Sequence, residues 1–98
     1  MKVLIAYDVN RRHDDVKSAL LEAGFRDFWV TQGNVIHYLP DTTLWHPNLD
    51  GSAEAKRIFL KIINDLNVGQ PPNNIITVSH FVAVEMGNIS GVEGESHA

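Results

Sequence analysis

Residues Lys2 to Tyr7 are β-prone and almost continuously apolar. Such a run predicts a central strand covered on both faces, near 2–8. The polar stretch Asp8-Val9-Asn10-Arg11-Arg12-His13 reads as the loop after it. Val16, Ala19, Leu20 and Ala23 then keep the i, i+3, i+4, i+7 spacing of one helical face and predict a helix near 14–23. Asp14 and Asp15 stand where carboxylates favour the positive helix end, and Gly24 stands where a helix stop is expected. The middle of the chain carries an aromatic segment (Phe25, Phe28, Trp29, Val30) and a turn signal at Gln32-Gly33-Asn34. It continues with an apolar run from Val35 to Leu39 broken by His37, a second turn at Pro40-Asp41, and β-prone residues from Thr42 to Trp45. At least one hairpin is expected between Phe28 and Trp45. The preferred pairing sets a strand near 35–39 against one near 42–46 across Pro40-Asp41.

After the loop Pro47 to Gly51, Ser52 reads as the N-cap of a second helix near 52–66, with Glu54 in its first turn. Ala55, Phe59, Ile62, Ile63 and Leu66 line its apolar face, and Lys56, Arg57 and Lys61 its polar one. Gly69, Pro71 and Pro72 end it. Ile75 to Val84 is the longest β signal and predicts a last strand near 75–84, with Ile76, Val78 and Val82 sharing one parity and Phe81 the other. From Gly87 the composition turns to Gly, Ser and Glu, so residues 1–86 read as one domain and 87–98 as a flexible tail. Strand, helix, strand, strand, helix, strand is the βαββαβ order of a ferredoxin-like α+β sandwich. In it two helices cover one face of an antiparallel sheet. The other face is left open, which commonly carries a dimer or ligand contact.

A chain of 98 residues has the size of one small domain, and its 44% hydrophobic content argues against disorder. No apolar run approaches the roughly 18 residues of a membrane span. The first eight residues are too short in their apolar part for a signal peptide, so a cytoplasmic protein without membrane contact is expected. The absence of cysteine removes disulfides, thiolate nucleophiles and Cys-type zinc sites. A net charge of −4 is not the basic field of a dedicated nucleic-acid binder, although a local patch can still hold phosphate.

Strand Val3-Leu4-Ile5-Ala6-Tyr7-Asp8-Val9 ends in a Tyr-Asp pair, a polar loop with Arg11 and Arg12 comes next, and a helix runs Val16…Leu20…Gly24. Later, Leu39-Pro40-Asp41-Thr42-Thr43-Leu44-Trp45 places small polar residues before an apolar strand. In these features the chain resembles the small CRISPR-associated adaptation proteins of the second Cas family and their relatives, the VapD and SinR-like proteins. The resemblance spans about residues 1 to 85. It implies a ferredoxin-like fold and a homodimer, acting either as a metal-dependent nuclease for RNA or DNA or as a scaffold. By the same resemblance Asp8 is the catalytic, metal-binding carboxylate at the dimer interface, holding Mg2+ or Mn2+. The chain departs from that pattern in its acidity and in its Trp45-His46-Pro47-Asn48 and Asn64–Asn74 segments.

The residues also support readings of their own. Asp8 ends a strand, where a carboxylate can ligate a hard divalent ion or accept the N–H groups of the following loop. Arg11, Arg12 and His13 could grip a phosphodiester, or serve as counter-charges for Asp14 and Asp15. His37, His46 and His80 lack metal-ligand spacing, and Ser79-His80 is set aside as a nucleophile–base pair because adjacent strand residues point to opposite faces. Trp29 and Trp45 could stack on bases or pack in a core. Gly24, Gly33 and Gly51 are isolated and make no phosphate loop. Two functions stay open: a nucleic-acid-associated enzyme or scaffold using Asp8, and a non-catalytic dimeric interaction module using the open sheet face.

Overall fold

A computed structural model describes residues 1–86; the tail expected at 87–98 lies outside the described residues. The chain forms β1 (Lys2–Val9), α1 (His13–Glu22), β2 (Phe28–Val30), β3 (Ile36–Tyr38), β4 (Thr43–His46), α2 (Ser52–Asn67), a 3-10 turn at Pro72–Asn74, and β5 (Val78–Met86). It is an α+β fold with two helices and antiparallel sheets. One sheet has the order β4-β1-β5; β2 and β3 pair in a second, two-stranded one.

The alternation along β1 decides the architecture. Val3, Ile5, Tyr7 and Val9 are buried, while Lys2, Leu4 and Ala6 are half-buried and Asp8 is exposed. The odd residues join one core with Val16 and Leu20 of α1, Ala55, Phe59 and Ile63 of α2, Leu44 of β4, and Phe25, Leu49 and Ile76. Both helices therefore pack on the odd face, and Phe59 lies against Tyr7 (ring centroids 5.2 Å) and Phe81 (4.6 Å). Leu4 and Ala6 face the other way, so the first strand is helix-covered on one side only. A continuous apolar run reads as two-sided burial, and here it is not.

The middle of the chain departs from expectation. Val35–Leu39 does not pair with the following strand across Pro40-Asp41. Instead Phe28↔Tyr38, Trp29↔His37 and Val30↔Ile36 form the hairpin, turning at Thr31 to Val35, and β4 runs antiparallel to β1 (Leu4↔Trp45, Ile5↔Leu44). Arg26 and Trp45 exchange two backbone bonds (2.7 and 3.0 Å) outside β4. Leu39 to Thr42 is thus a bend at which the chain leaves β2 as its neighbour and joins β1. Pro40 suits the bend because it has no N–H to leave unpaired.

The last strand also differs. The β1–β5 register slips between Asp8 and Val9, pairing Val9 with Val78 but Asp8 with His80, which leaves Ser79 as a bulge. The bulge reverses parity, so Val78, Phe81 and Ala83 turn to the core while Val82 and Val84 stay 56% and 51% exposed. Residues Ile75 to Thr77 precede the strand because their polar groups are taken elsewhere. Asn67 clamps the Ile76 backbone through both ends of its amide, and Asn10 accepts the Thr77 N–H.

The end of α1 closes through local backbone bonds, whereas the start of α2 is capped by a distant side chain. At the end of α1 the N–H of Gly24 bonds Leu21 O and that of Phe25 bonds Leu20 O, a Schellman closure with Gly24 at φ +100°. A Cβ on Gly24 would lie 2.7 Å from His46 Nε2. Ser52 is not the N-cap of α2: it is the first helical residue, and Gly51 precedes it. The capping acceptor is Glu85 of β5, whose Oε2 takes the Ser52 N–H at 3.0 Å, while Glu54 reaches back to the Asp50 N–H. A carboxylate there also meets the positive end of the helix dipole.

Candidate functional site

The carboxyl end of β1 holds the residues with candidate chemistry, and the structure divides them. Asp8 is exposed on the face away from the helices, directly across from His80 of β5. Among the described residues its carboxylate has no hydrogen bond or ion pair. Arg11 is half-buried and likewise without an ion pair among them.

Arg12 has other work. It adopts a left-handed backbone (φ 57°) as the residue before α1, its Nη1 donates to Leu66 O at 2.8 Å, and its Nε donates to Asp15 Oδ2 at 2.8 Å. The last turn of α2 contains no basic residue, so Arg12 supplies from another element the cation that a helix C-terminus favours. His13 shares a ring nitrogen with Val9 O at 3.0 Å, and Asp14 and Asp15 lie in the first turn of α1. The cluster is first of all a structural junction between β1, α1 and α2.

The histidines do not gather. Among the described residues no three His, Asp or Glu side chains come together as a metal-holding group. His46 is spent on the fold: its Nδ1 accepts the Asn48 N–H at 3.0 Å, so Nε2 carries the proton and donates to Ala23 O at 3.2 Å. His37 stacks on Trp29 (5.2 Å, 16° between planes). Trp45 is buried, donates Nε1–H to Phe28 O at 2.7 Å, and lies under the Arg26 guanidinium, so its indole holds β2 to β4.

A divalent cation such as Mg2+ or Mn2+ takes about six oxygen ligands. Among the described residues Asp8 belongs to no group of three or more His, Asp or Glu side chains that could hold such an ion. Tyr7, beside Asp8 in sequence, points the opposite way. Burial against the core pushes its phenol up to about 12, with the Asp41 carboxylate adding to the shift. It is held protonated and is not poised as a base.

The second candidate is the bare face of the sheet, the one that neither helix of the described residues covers. Leu4 and Ala6 of β1 lie between Val84 and Val82 of β5 on one side and Trp45 and Thr43 of β4 on the other. Lys2 and Asp8 stand at its two ends. This surface follows from alternation in β1 and from the Ser79 bulge; sequence parity alone put Val82 on the same side as Val78. Exposed Val30, Ile36 and Tyr38 add apolar surface on the hairpin. No helix of the described residues is long and apolar enough to cross a membrane. No family model, no characterised protein and no solved structure matches the chain.

Proposed function

We propose that this chain is a dimeric interaction module of ferredoxin-like architecture that binds through the bare face of its sheet, without catalysis. The supporting arrangement is the strand order β5, β1, β4 with Arg26 bridged outside β4. A βαββαβ sandwich sets its fourth, first, third and second strands side by side, and Arg26 stands in the place of the second. The observation that carries the function is the valine pair Val82 and Val84, more than half exposed beside Leu4 and Ala6. Contiguous apolar surface on one face of a small sheet is costly in water and marks an interaction site. Sedimentation equilibrium of the purified chain tests the reading: a homodimer is expected, and a monomer at every concentration reached contradicts it.

A second reading is favoured by the unpartnered Asp8 carboxylate. In it the protein is a nucleic-acid-associated, metal-dependent nuclease acting on RNA or DNA. Two copies pair their Asp8 side chains around Mg2+ or Mn2+, and Arg11, with whatever donors Arg12 has left, touches the phosphodiester. Cleavage that needs the metal and is lost in both Asp8→Ala and Asp8→Asn supports this reading. Absence of cleavage of any RNA or DNA with either metal removes it. Both readings are of a cytoplasmic protein.

A further inference from the structure

The charge pattern along β1 on the bare face bears on how a second copy could sit on it, beside the Arg26 guanidinium that covers Trp45 at the β4 edge. The even residues of β1 run Lys2, Leu4, Ala6, Asp8: a cation, a large apolar side chain, a small one, an anion. This series is complementary to its own reverse. Two sheets stacked face to face can be related by a two-fold axis running across the strands or by one running along them. With the axis across the strands, at Ile5, the two β1 strands are antiparallel. Lys2 then faces the partner's Asp8, and Leu4 faces the partner's Ala6, large against small. On β5, Val82 faces the partner's Val84 in the same way, because Leu4↔Val84 and Ala6↔Val82 are neighbours within each sheet. With the axis along the strands, Lys2 meets Lys2 and Asp8 meets Asp8. Leu4 then crowds Leu4, and a gap opens between the two Ala6 residues.

Resting on the dimeric reading above, we propose that a second copy of this chain covers the bare face in the antiparallel arrangement, with two symmetry-related Lys2–Asp8 pairs fixing the register. Neither Lys2 nor Asp8 makes an ion pair among the described residues, so both charges are available to the partner. Aligned sheets cross at about 30°, which displaces strand ends by roughly 5 Å, within reach of the lysine's flexible stem. The arrangement holds the two Asp8 carboxylates roughly 20 Å apart, at ~3.3 Å per residue, so they do not share a metal ion. Three strands about 4.8 Å apart, β1 some 26 Å long and the four-residue β4 about half that, give a small patch, and interfaces below ~1,200 Å² belong to weak, transient pairs. Dissociation in the micromolar range is expected, with the charge pairs setting register more than affinity.

Charge exchange tests this directly. Lys2→Glu makes both ends of the face acidic, and Asp8→Lys makes both basic. Each variant alone is expected to dissociate about tenfold more readily than the wild type. An equimolar mixture of the two is expected to form a heterodimer at least as tight as the wild-type dimer, since every end then meets its opposite. Heterodimer formation also shows that both variants fold. A wild-type dimer with no preferential heterodimer on mixing overturns the register and leaves the dimeric reading standing. A dimer tightened by Mg2+ or Mn2+ in the wild type but not in Asp8→Asn overturns it in favour of paired carboxylates. A wild type that stays monomeric removes the dimeric reading and the register with it.

Discussion

The two faces of β1 are built from alternate residues of one strand, yet they meet opposite surroundings. Val3, Ile5, Tyr7 and Val9 lie under two helices and are at most 4% exposed. Leu4 and Ala6, one residue away along the same backbone, lie beside valines of β5 that are more than half exposed, with Trp45 and Thr43 of β4 on their other side. The comparison separates two roles for apolar side chains. On the covered face, the area removed from water and the packing of Phe59 between Tyr7 and Phe81 hold the chain folded. On the other face that area stays open to water.

The sharpest way to break the comparison is to mutate each face and compare the effects on stability. Phe59→Ala removes a fully buried ring from the covered face and is expected to cost about 3–5 kcal/mol by denaturant melting. Alkaline titration probes the same core. Tyr7 has a folded-state phenol raised to about 12 against an ordinary value near 10. Below pH 10 both states hold the proton. As pH rises from 10 to 12 the unfolded chain releases it first, and stability falls by on the order of 2 kcal/mol. Tyr7→Phe should lose that slope; an unchanged alkaline slope in Tyr7→Phe would assign the loss to other groups.

Smaller effects are expected where the covered side is tied together. Glu85→Ala leaves the Ser52 N–H and the α2 dipole without their carboxylate and should cost about 1 kcal/mol. Gly51→Ala should act through the same contact, because its Cβ would lie 2.8 Å from Glu85 Oε2 and displace it. A double-mutant cycle between the two positions checks this: additive costs would contradict a shared contact. The smallest change is on the bare face. Val84→Ser should alter the melting of the dilute monomer by less than about 0.5 kcal/mol.

Periodicity in the sequence carries the helices well, since the spacing of Val16 and Leu20, and of Ala55, Phe59 and Ile63, is a local consequence of one face packing on a sheet. The hairpin is misread for a physical reason. Pro40-Asp41 has the composition of a turn, but the chain there bends between two partners, and β2 and β3 are each only three residues long. In β5 the bulge at Ser79 breaks the two-residue period, so parity counted through it puts Val82 on the wrong side. In the candidate site, a carboxylate ending the first strand is legible, and the structure leaves it bare and exposed. The task of Arg12 is not legible, because its acceptor on Leu66 is 54 residues away, and neither is the capping role of Glu85, 33 residues from Ser52. Such long-range pairings have no local pattern.

The bare face as an interaction surface is tested most directly by placing charge at its centre. The double variant Val82→Asp/Val84→Asp should melt like the wild-type monomer, because neither side chain belongs to the core. In sedimentation equilibrium it should remain monomeric at concentrations where the wild type is expected to dimerise, since two carboxylates buried against a second sheet would be desolvated without partners. A variant that dimerises as the wild type does, with its fold intact, contradicts the account.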